Sequence, residues 1–259
     1  MELRRLADRP DELLWRYLAY PVKIGHSSLI VVAELPLSGG PIRVVYKQYR
    51  PRNWWKALWG AFRRSRALEG WRLARALLER NVATARPIAA CQPRPWPSRG
   101  TSYLATAWIE GAENLHRFGW RLAALSPDRR LRSAARCAES LGRLVGRMHA
   151  AGIANRDLKG VNLLVVQHGD DLQTYLVDLD GVRLTRGLRP QERAANLARL
   201  AVSVQAHPWV SRSVCRRFLR AYAAQFAPQT VAWKPLWRAV AARARAIVRR
   251  KRRRGQPIL

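Results

Sequence analysis

Hydrophobic and polar positions change their period twice along this chain. Residues 1–19 set Leu3, Leu6, Leu13, Leu14 and Leu18 among charges and read as a short helix. From Val22 to Val32 a β-rich run is broken by Gly25-His26-Ser27-Ser28, giving strand, tight turn, strand. Ser38-Gly39-Gly40-Pro41 marks a second turn, and Ile42 to Tyr49 a third strand with Lys47 inside it. Two-residue alternation puts Val45, Lys47 and Tyr49 on one face. A 3.6-residue period returns from about Ala61 to Glu79, with Phe62, Glu69, Leu73, Ala76 and Leu77 on one stripe. Strands are expected in the stretch ending at Ile88 and over Ser102 to Ile109. Pro93, Pro95, Pro97 and Gly100 mark the loop between them.

Beyond Ile109 the helical period dominates. Leu131 to Ala151 carries a stripe of Leu141, Leu144, Val145 and Met148, and Gly152 is placed to end it in the left-handed position of a C-cap. Leu163 to Val166 and Tyr175 to Val177 read as a hairpin across Gln167-His168-Gly169-Asp170-Asp171. Another helix is expected over Gln191 to Gln205. This is an α+β chain. A small antiparallel sheet with one key helix fills 1–106, a mainly helical part fills 107–240, and 241–259 is a basic tail.

Composition narrows the class. A chain of 259 residues with 48% apolar content can bury a core as one bilobal domain or two small ones. A formal charge of +31 predicts attraction to polyanions. The excess is uneven: sixteen Lys and Arg and no acid follow Glu192, and eight basic residues and no acid lie between Glu34 and Glu69. Cys91, Cys137 and Cys215 are odd in number and far apart, which argues against a disulfide framework and fits a reducing cytoplasm. No signal peptide and no apolar run of roughly 20 residues is seen, so a soluble or peripheral protein is expected. Trp54, Trp55, Trp59, Phe62 and Trp71 among Lys and Arg leave two readings open, packing of a small lobe or contact with a membrane interface.

The chemistry concentrates between Met148 and Asp180. Asp157 and Asn162 stand five apart on one loop, and Asp178 closes the strand that returns beside it. The loop Asn155-Arg156-Asp157-Leu158-Lys159-Gly160-Val161-Asn162, followed by Asp178-Leu179-Asp180-Gly181, resembles the catalytic loop and metal-binding Asp of protein kinases. The resemblance implies a protein-kinase-like bilobal fold that uses ATP and Mg²⁺, with Mn²⁺ as a substitute. Asp157 would orient an acceptor hydroxyl and Lys159 neutralise charge at the γ-phosphate, while Asn162 and Asp178 hold the metal. Lys47 in V-V-Y-K would meet the α and β phosphates, with Glu69 as its partner. The alternative is a half-exposed Glu69 paired to Arg66 or Arg72. Gly25, Ser27 and Ser28 would let backbone N–H groups approach phosphate, or form an ordinary hairpin turn. Trp108-Ile109-Glu110-Gly111-Ala112-Glu113 resembles the kinase hinge. Ala107 and Ile109 would then offer backbone groups to adenine, and Glu113 would meet the ribose. His149 reads as a locally packed or hydrogen-bonded residue.

Asn155 replaces the kinase His that braces the loop. No long activation segment follows Asp178; Arg183, Arg186, Arg189 and Pro190 lead directly into a helix. Asp-Leu-Asp with this short joint is similar to the bacterial lipopolysaccharide kinases of the Kdo/WaaP family. That likeness implies transfer to a sugar hydroxyl of a lipopolysaccharide core or similar glycolipid, by a cytoplasmic protein peripheral on the inner membrane. Arg243, Arg245, Arg249, Arg250, Lys251, Arg252, Arg253 and Arg254 would face an anionic membrane surface, with Trp233 and Trp237 at the interface. The same tail also reads as a solvated helix end, and no specific nucleic-acid site is expected. The rivals are a protein Ser/Thr or other small-molecule kinase, and a non-catalytic pseudokinase or basic scaffold.

Overall fold

The computed structural model describes residues 9–17, 21–25, 27–36, 39–50, 65–92, 101–227 and 231–256. The features expected at 1–8, 18–20, His26, Ser38, Trp54, Trp55, Trp59, Phe62, Pro93, Pro95, Pro97 and Gly100 lie outside the described residues. The chain divides into two units. One comprises Met1–Leu78 and Ala85–Ile109, the other Glu79–Thr84 and Glu110–Leu259.

The first unit is an antiparallel sheet of β1 (Pro21–Gly25), β2 (Ser28–Leu35), β3 (Ile42–Tyr49), β4 (Pro87–Cys91) and β5 (Ser102–Ala107), in the order β1-β2-β3-β5-β4. Alternation gives it two apolar faces. On one, Leu29, Val31, Leu35, Val44, Tyr46 and Tyr103 bury Leu13 and Leu14 of α1 (Pro10–Tyr17). Pro10 opens that helix, where its missing N–H costs nothing. Polar contacts set its register: Asp11 Oδ1 accepts from Tyr103 Oη at 2.7 Å and Gln48 Nε2 at 2.9 Å, and Tyr46 Oη donates to Pro10 O at 3.1 Å.

The other face carries Tyr49 and Leu104 against Ala67 of α2 (Arg66–Glu79). Ser65 Oγ caps this helix by accepting from Leu68 N at 3.2 Å. Gly70 lets it come close, since a Cβ there would lie 3.1 Å from Leu104 Cδ2. The buried stripe is Ala67, Gly70, Leu73, Ala74, Ala76 and Leu77. Glu69, expected on that stripe, stands at its edge with its side chain 39% exposed.

The second unit is built on α4 (Pro127–Ala150), with α3 (Leu115–Ala123) before it and α5 (Pro190–Ser203), α6 (Arg212–Ala223) and α7 (Trp233–Arg253) after it. α4 starts one turn before the expected Leu131, because Pro127 takes a first-turn position behind Ser126 and Asp128 favours the helix N-terminus. Gly152 takes the left-handed conformation, φ 73°, that ends the helix. Gly142 and Gly146, one turn apart, admit α6. A Cβ on Gly142 would meet Phe218 O, and one on Gly146 would lie 2.7 Å from Tyr222 O. The unit's strands are short: β6 (Glu113–Asn114), β8 (Leu163–His168) and β9 (Asp171–Leu176) form one sheet, and β7 (Ile153–Asn155) pairs with β10 (Val182–Leu184). All three cysteines are free thiols.

Candidate active site

Two strand pairs in the second unit bring the Asp157 loop and the segment carrying Asp178 together. β7 runs antiparallel to β10 with Asn155 opposite Val182, and β8 to β9 with Leu163 opposite Leu176. Between β7 and β8 lies Arg156–Lys159 followed by a 3₁₀ turn, Gly160–Asn162. Val177 N donates to Asn162 O at 2.9 Å, so Asp178 leaves β9 beside Asn162. The next turn doubles back onto the loop, where Arg156 N donates to Gly181 O at 2.9 Å. Only a glycine fits there. A Cβ on Gly181 would lie 2.7 Å from Asn155 Oδ1, 2.9 Å from Asp157 Cβ and 3.0 Å from Asp157 N.

The side chains on this frame are already connected. Asp157 Oδ2 accepts from Lys159 Nζ at 3.1 Å and from Asn162 Nδ2 at 3.1 Å. Asn162 Nδ2 also donates to Asp157 O at 3.0 Å. The Asn162 amide nitrogen is thus turned to Asp157, and its Oδ1 has no hydrogen bond to a described residue. Such a carbonyl oxygen, with the Asp178 carboxylate, is a donor set for a hard divalent cation. Among the described residues no three His, Cys, Asp or Glu gather into a metal cage. Two protein oxygens suit Mg²⁺, which keeps waters and takes substrate phosphate. Asp178 has φ 58° and ψ 78°, the left-handed region that aspartate enters at some cost. Asp157 and Lys159 side chains are each 45% exposed, open to an acceptor from solvent.

A buried network fixes the loop from below. Asn155, fully buried, accepts from Asp157 N on Oδ1 at 2.8 Å and donates its own N–H to Asn196 Oδ1 at 2.7 Å. This is the bracing expected where protein kinases place His. The Asn155 Nδ2 group has no partner among the described residues. His149 Nε2 lies 3.3 Å from Asn196 Oδ1 and Nδ1 lies 2.8 Å from Tyr222 Oη. Because Asn196 Oδ1 can only accept, Nε2 carries the proton and Nδ1 accepts from the tyrosine. Burial pushes the His149 pKa down to about 3, so the ring is a neutral strut, as expected from sequence.

The remaining site residues lie in their own settings. Gly25 and Ser28 form the closing pair of the β1–β2 hairpin. Ser27 O at its tip accepts from Arg50 N at 3.0 Å and Arg66 Nη1 at 3.4 Å. Lys47, half-buried between Ile30 and Leu104 on the neighbouring strands, holds Nζ 4.6 Å from the Tyr49 ring centroid. Glu69 is gripped by Arg72, with Nη2 at 2.7 Å from Oε1 and Nε at 3.1 Å from Oε2. A guanidinium one turn on supplies the fork that the carboxylate needs, which is the alternative pairing left open above. Ala107 N–H is engaged by Arg86 O at 2.8 Å, leaving its carbonyl as the group it can offer; Trp108 N–H is engaged by Arg43 O at 3.0 Å. In the second unit, Glu113 Oε1 accepts from Arg121 Nε at 2.8 Å, beside an open polar pocket shared with Gly111 and Gln167. Helices α3 to α7 also enclose an apolar cavity of about 560 Å³, lined by Leu122, Leu141, Leu200, Phe218 and Val240, with Trp209 and Arg245 among its walls.

The antiparallel sheet, the single helix on its inner strands and the Asp157–Asn162 loop define a protein-kinase-like fold. One solved structure with this architecture, described as WaaP in complex with acyl carrier protein, superposes with a TM-score of 0.63. It covers 97% of this chain and 95% of its own, at 21% identity. Residues 44–222 match the family described as lipopolysaccharide kinase (Kdo/WaaP), and the chain belongs to that family. A 3-deoxy-D-manno-octulosonic acid kinase of Xanthomonas campestris pv. campestris (strain B100) is 33% identical over 177 residues, 68% of this chain and 60% of the relative. One of the same description from Xylella fastidiosa (strain M12) is 29% identical over 196 residues, 73% of this chain and 71% of the relative. The chain thus spans 60% of the length of the Xanthomonas relative it matches.

Sequence reasoning missed the roles of Asn196 and Gly181. Asn196 lies 41 residues from Asn155 and 47 from His149, so no local pattern marks it.

Proposed function

We propose that this protein is a kinase that moves the γ-phosphoryl group of ATP onto a sugar hydroxyl of a lipopolysaccharide core. The acceptor class is the 3-deoxy-D-manno-octulosonic acid named in its relatives. One observation carries the reading. Asp157 accepts from Lys159 and Asn162 on a loop to which Gly181 holds the Asp178 segment.

In this reading Asp157 orients the acceptor hydroxyl and receives its proton late, as the loose transition state allows. The O–H bond breaks as the new O–P bond forms, and ADP leaves with the electrons of the cleaved P–O bond. Lys159 turns from Asp157 to the transferring group and offsets its charge. Asn162 and Asp178 hold Mg²⁺, which when bound supplies charge neutralisation on the phosphates. Lys47 meets the α and β phosphates, Glu69 stands behind it on α2, and the Gly25–Ser28 turn covers them. Ala107 and Ile109 offer backbone groups to adenine, and Glu113 meets the ribose.

The setting is an anionic membrane face. Helix α7 buries only Leu236, Val240 and Ala244, leaving its other faces to arginines from Arg238 to Arg253. Near such a leaflet each basic residue contributes about 1 kcal/mol. Among the described residues no helix is long and apolar enough to cross a bilayer.

Incubation with γ-labelled ATP, Mg²⁺ and lipid A bearing the octulosonic sugar is expected to label the lipid and not a generic basic protein. In the same preparation Asp178→Ala is expected to lose Mg²⁺-dependent nucleotide binding. Label on the protein alone refutes the acceptor, and unchanged binding refutes the metal assignment.

The apolar cavity favours a partner as well. An acyl chain suits an apolar pocket, and a strongly basic surface suits an acidic carrier. The solved WaaP structure contains an acyl carrier protein. We propose that an acyl carrier protein docks here with its acyl chain in the cavity. Native mass spectrometry should show a one-to-one complex with acylated carrier and none with the unacylated form. Equal binding of both removes the cavity from the interaction.

A further inference from the structure

The catalytic loop has a second support on the side away from Asn155, formed by three side chains from separate elements. Gly160 N donates to Ser203 Oγ at 2.8 Å, at the last residue of α5. Ser203 Oγ lies 3.0 Å from His116 Nε2, in the first turn of α3. His116 Nδ1 lies 3.1 Å from His207 Nε2, just past the 3₁₀ turn that follows α5. His207 is buried between Trp120 and Trp209, with ring centroids at 5.2 and 5.3 Å. Two glycines make room. A Cβ on Gly160 would lie 2.7 Å from His116 Nε2, and one on Gly119 would lie 2.6 Å from His207 Cε1.

Donor and acceptor counting gives this chain a direction. Ser203 Oγ already accepts from Gly160, and among the described residues its own proton has one receiver, His116 Nε2. His116 then carries its proton on Nδ1 and donates to His207 Nε2. In this direction His207 carries its proton on Nδ1, the ring nitrogen that is buried with no partner among the described residues. Burial lowers the pKa of both histidines, and His116 lowers that of His207 further, which agrees with two neutral rings.

We infer that Ser203, His116 and His207 are positioning residues for phosphoryl transfer, holding the Lys159–Gly160 segment through the Gly160 amide. None of the three touches the reacting atoms. Lys159 precedes the tethered peptide directly, so the tether sets where the Lys159 side chain starts. The proposed Mg²⁺ ligand Asn162 has a backbone tie outside the tethered segment: its O accepts from Val177 N at 2.9 Å. Loss of the tether therefore reaches turnover more than nucleotide binding.

The inference rests on the proposed kinase reading for its kinetic readout, so a second readout is independent of it. Ser203→Ala is expected to lower kcat about tenfold, the size of one lost hydrogen bond, with KM for Mg²⁺·ATP within about twofold. Ser203→Thr, which keeps the hydroxyl, restores most of the rate. His116→Leu gives a similar loss, and His116→Gln, which can accept and donate in the same sense, recovers it. The Ser203→Ala/His116→Leu double variant loses no more than the worse single, because both break one chain. Hydrogen exchange at the Gly160 amide rises about tenfold in Ser203→Ala, with the α4 amides unchanged. An unchanged Gly160 exchange rate, or additive kinetic losses, overturns the inference. Wild-type protein without transfer activity but with Ser203-dependent Gly160 protection would instead place the failure in the kinase reading.

Discussion

Asp157→Asn is expected to cut turnover about a thousandfold while leaving affinity for Mg²⁺·ATP within about threefold of the parent. The substitution is nearly isosteric. Its amide oxygen can still accept from Asn162 Nδ2, which reaches Asp157 Oδ2 at 3.1 Å and the backbone O at 3.0 Å. The loop therefore keeps its shape, and Asn162 Oδ1, the proposed metal ligand, keeps its orientation. What disappears is the carboxylate proposed to take the hydroxyl proton and the charge that holds Lys159 Nζ at 3.1 Å. A general base contributes roughly 10²–10⁴ in rate, and little of that is binding. Steady-state rates and a nucleotide titration on one preparation separate the two. A variant that turns over within tenfold of wild type would show that Asp157 is a loop residue and not the base.

Gly181→Val should lose about a hundredfold in rate with a folded protein. The new side chain has no free space: its Cβ would lie within 3.0 Å of Asn155 Oδ1, Asp157 Cβ and Asp157 N. Something must shift, either the Asp178–Gly181 turn or the loop itself. A displacement of about 1 Å in a catalytic group costs on the order of 10²-fold in rate. The overpacking costs about 1–3 kcal/mol of stability, which a domain of this size survives. The kinetic loss should fall on kcat and on metal dependence together, because Asp157 and Asp178 flank the crowded point. Full activity in a soluble Gly181→Val protein would mean that the turn is not what registers Asp178 against the loop.

The α+β class was legible because its signals are local. Two-residue alternation from Val22 to Tyr49 and the turn residues between runs mark the sheet, and Gly152 marks the end of α4. The candidate loop was legible for the same reason, with Asp157, Lys159 and Asn162 inside six residues. Failures came where a partner is remote or where two partners compete. Glu69 had a lysine on the sheet and an arginine one turn along its own helix as partners, and spacing does not rank them; the Arg72 fork is in place at 2.7 Å. Ser203 and His207 lie 87 and 91 residues from His116, and only the packing of α3 against the end of α5 unites them. Their sole trace in the chain is two glycines, Gly119 and Gly160, whose reason appears only with the rings in place.

The backbone at Asp178 narrows what evolution or an engineer can write there. With φ at 58°, the position is comfortable only for glycine, asparagine and aspartate. Glycine has no oxygen to offer a cation, and glutamate keeps the charge but pays for the wrong hand of the chain. The alphabet at this site shrinks to two letters, which differ by one proton-bearing amide and one unit of charge. If Asp178 holds the metal as proposed, retuning the site to another divalent ion falls to neighbouring positions, since this one has almost no room to vary.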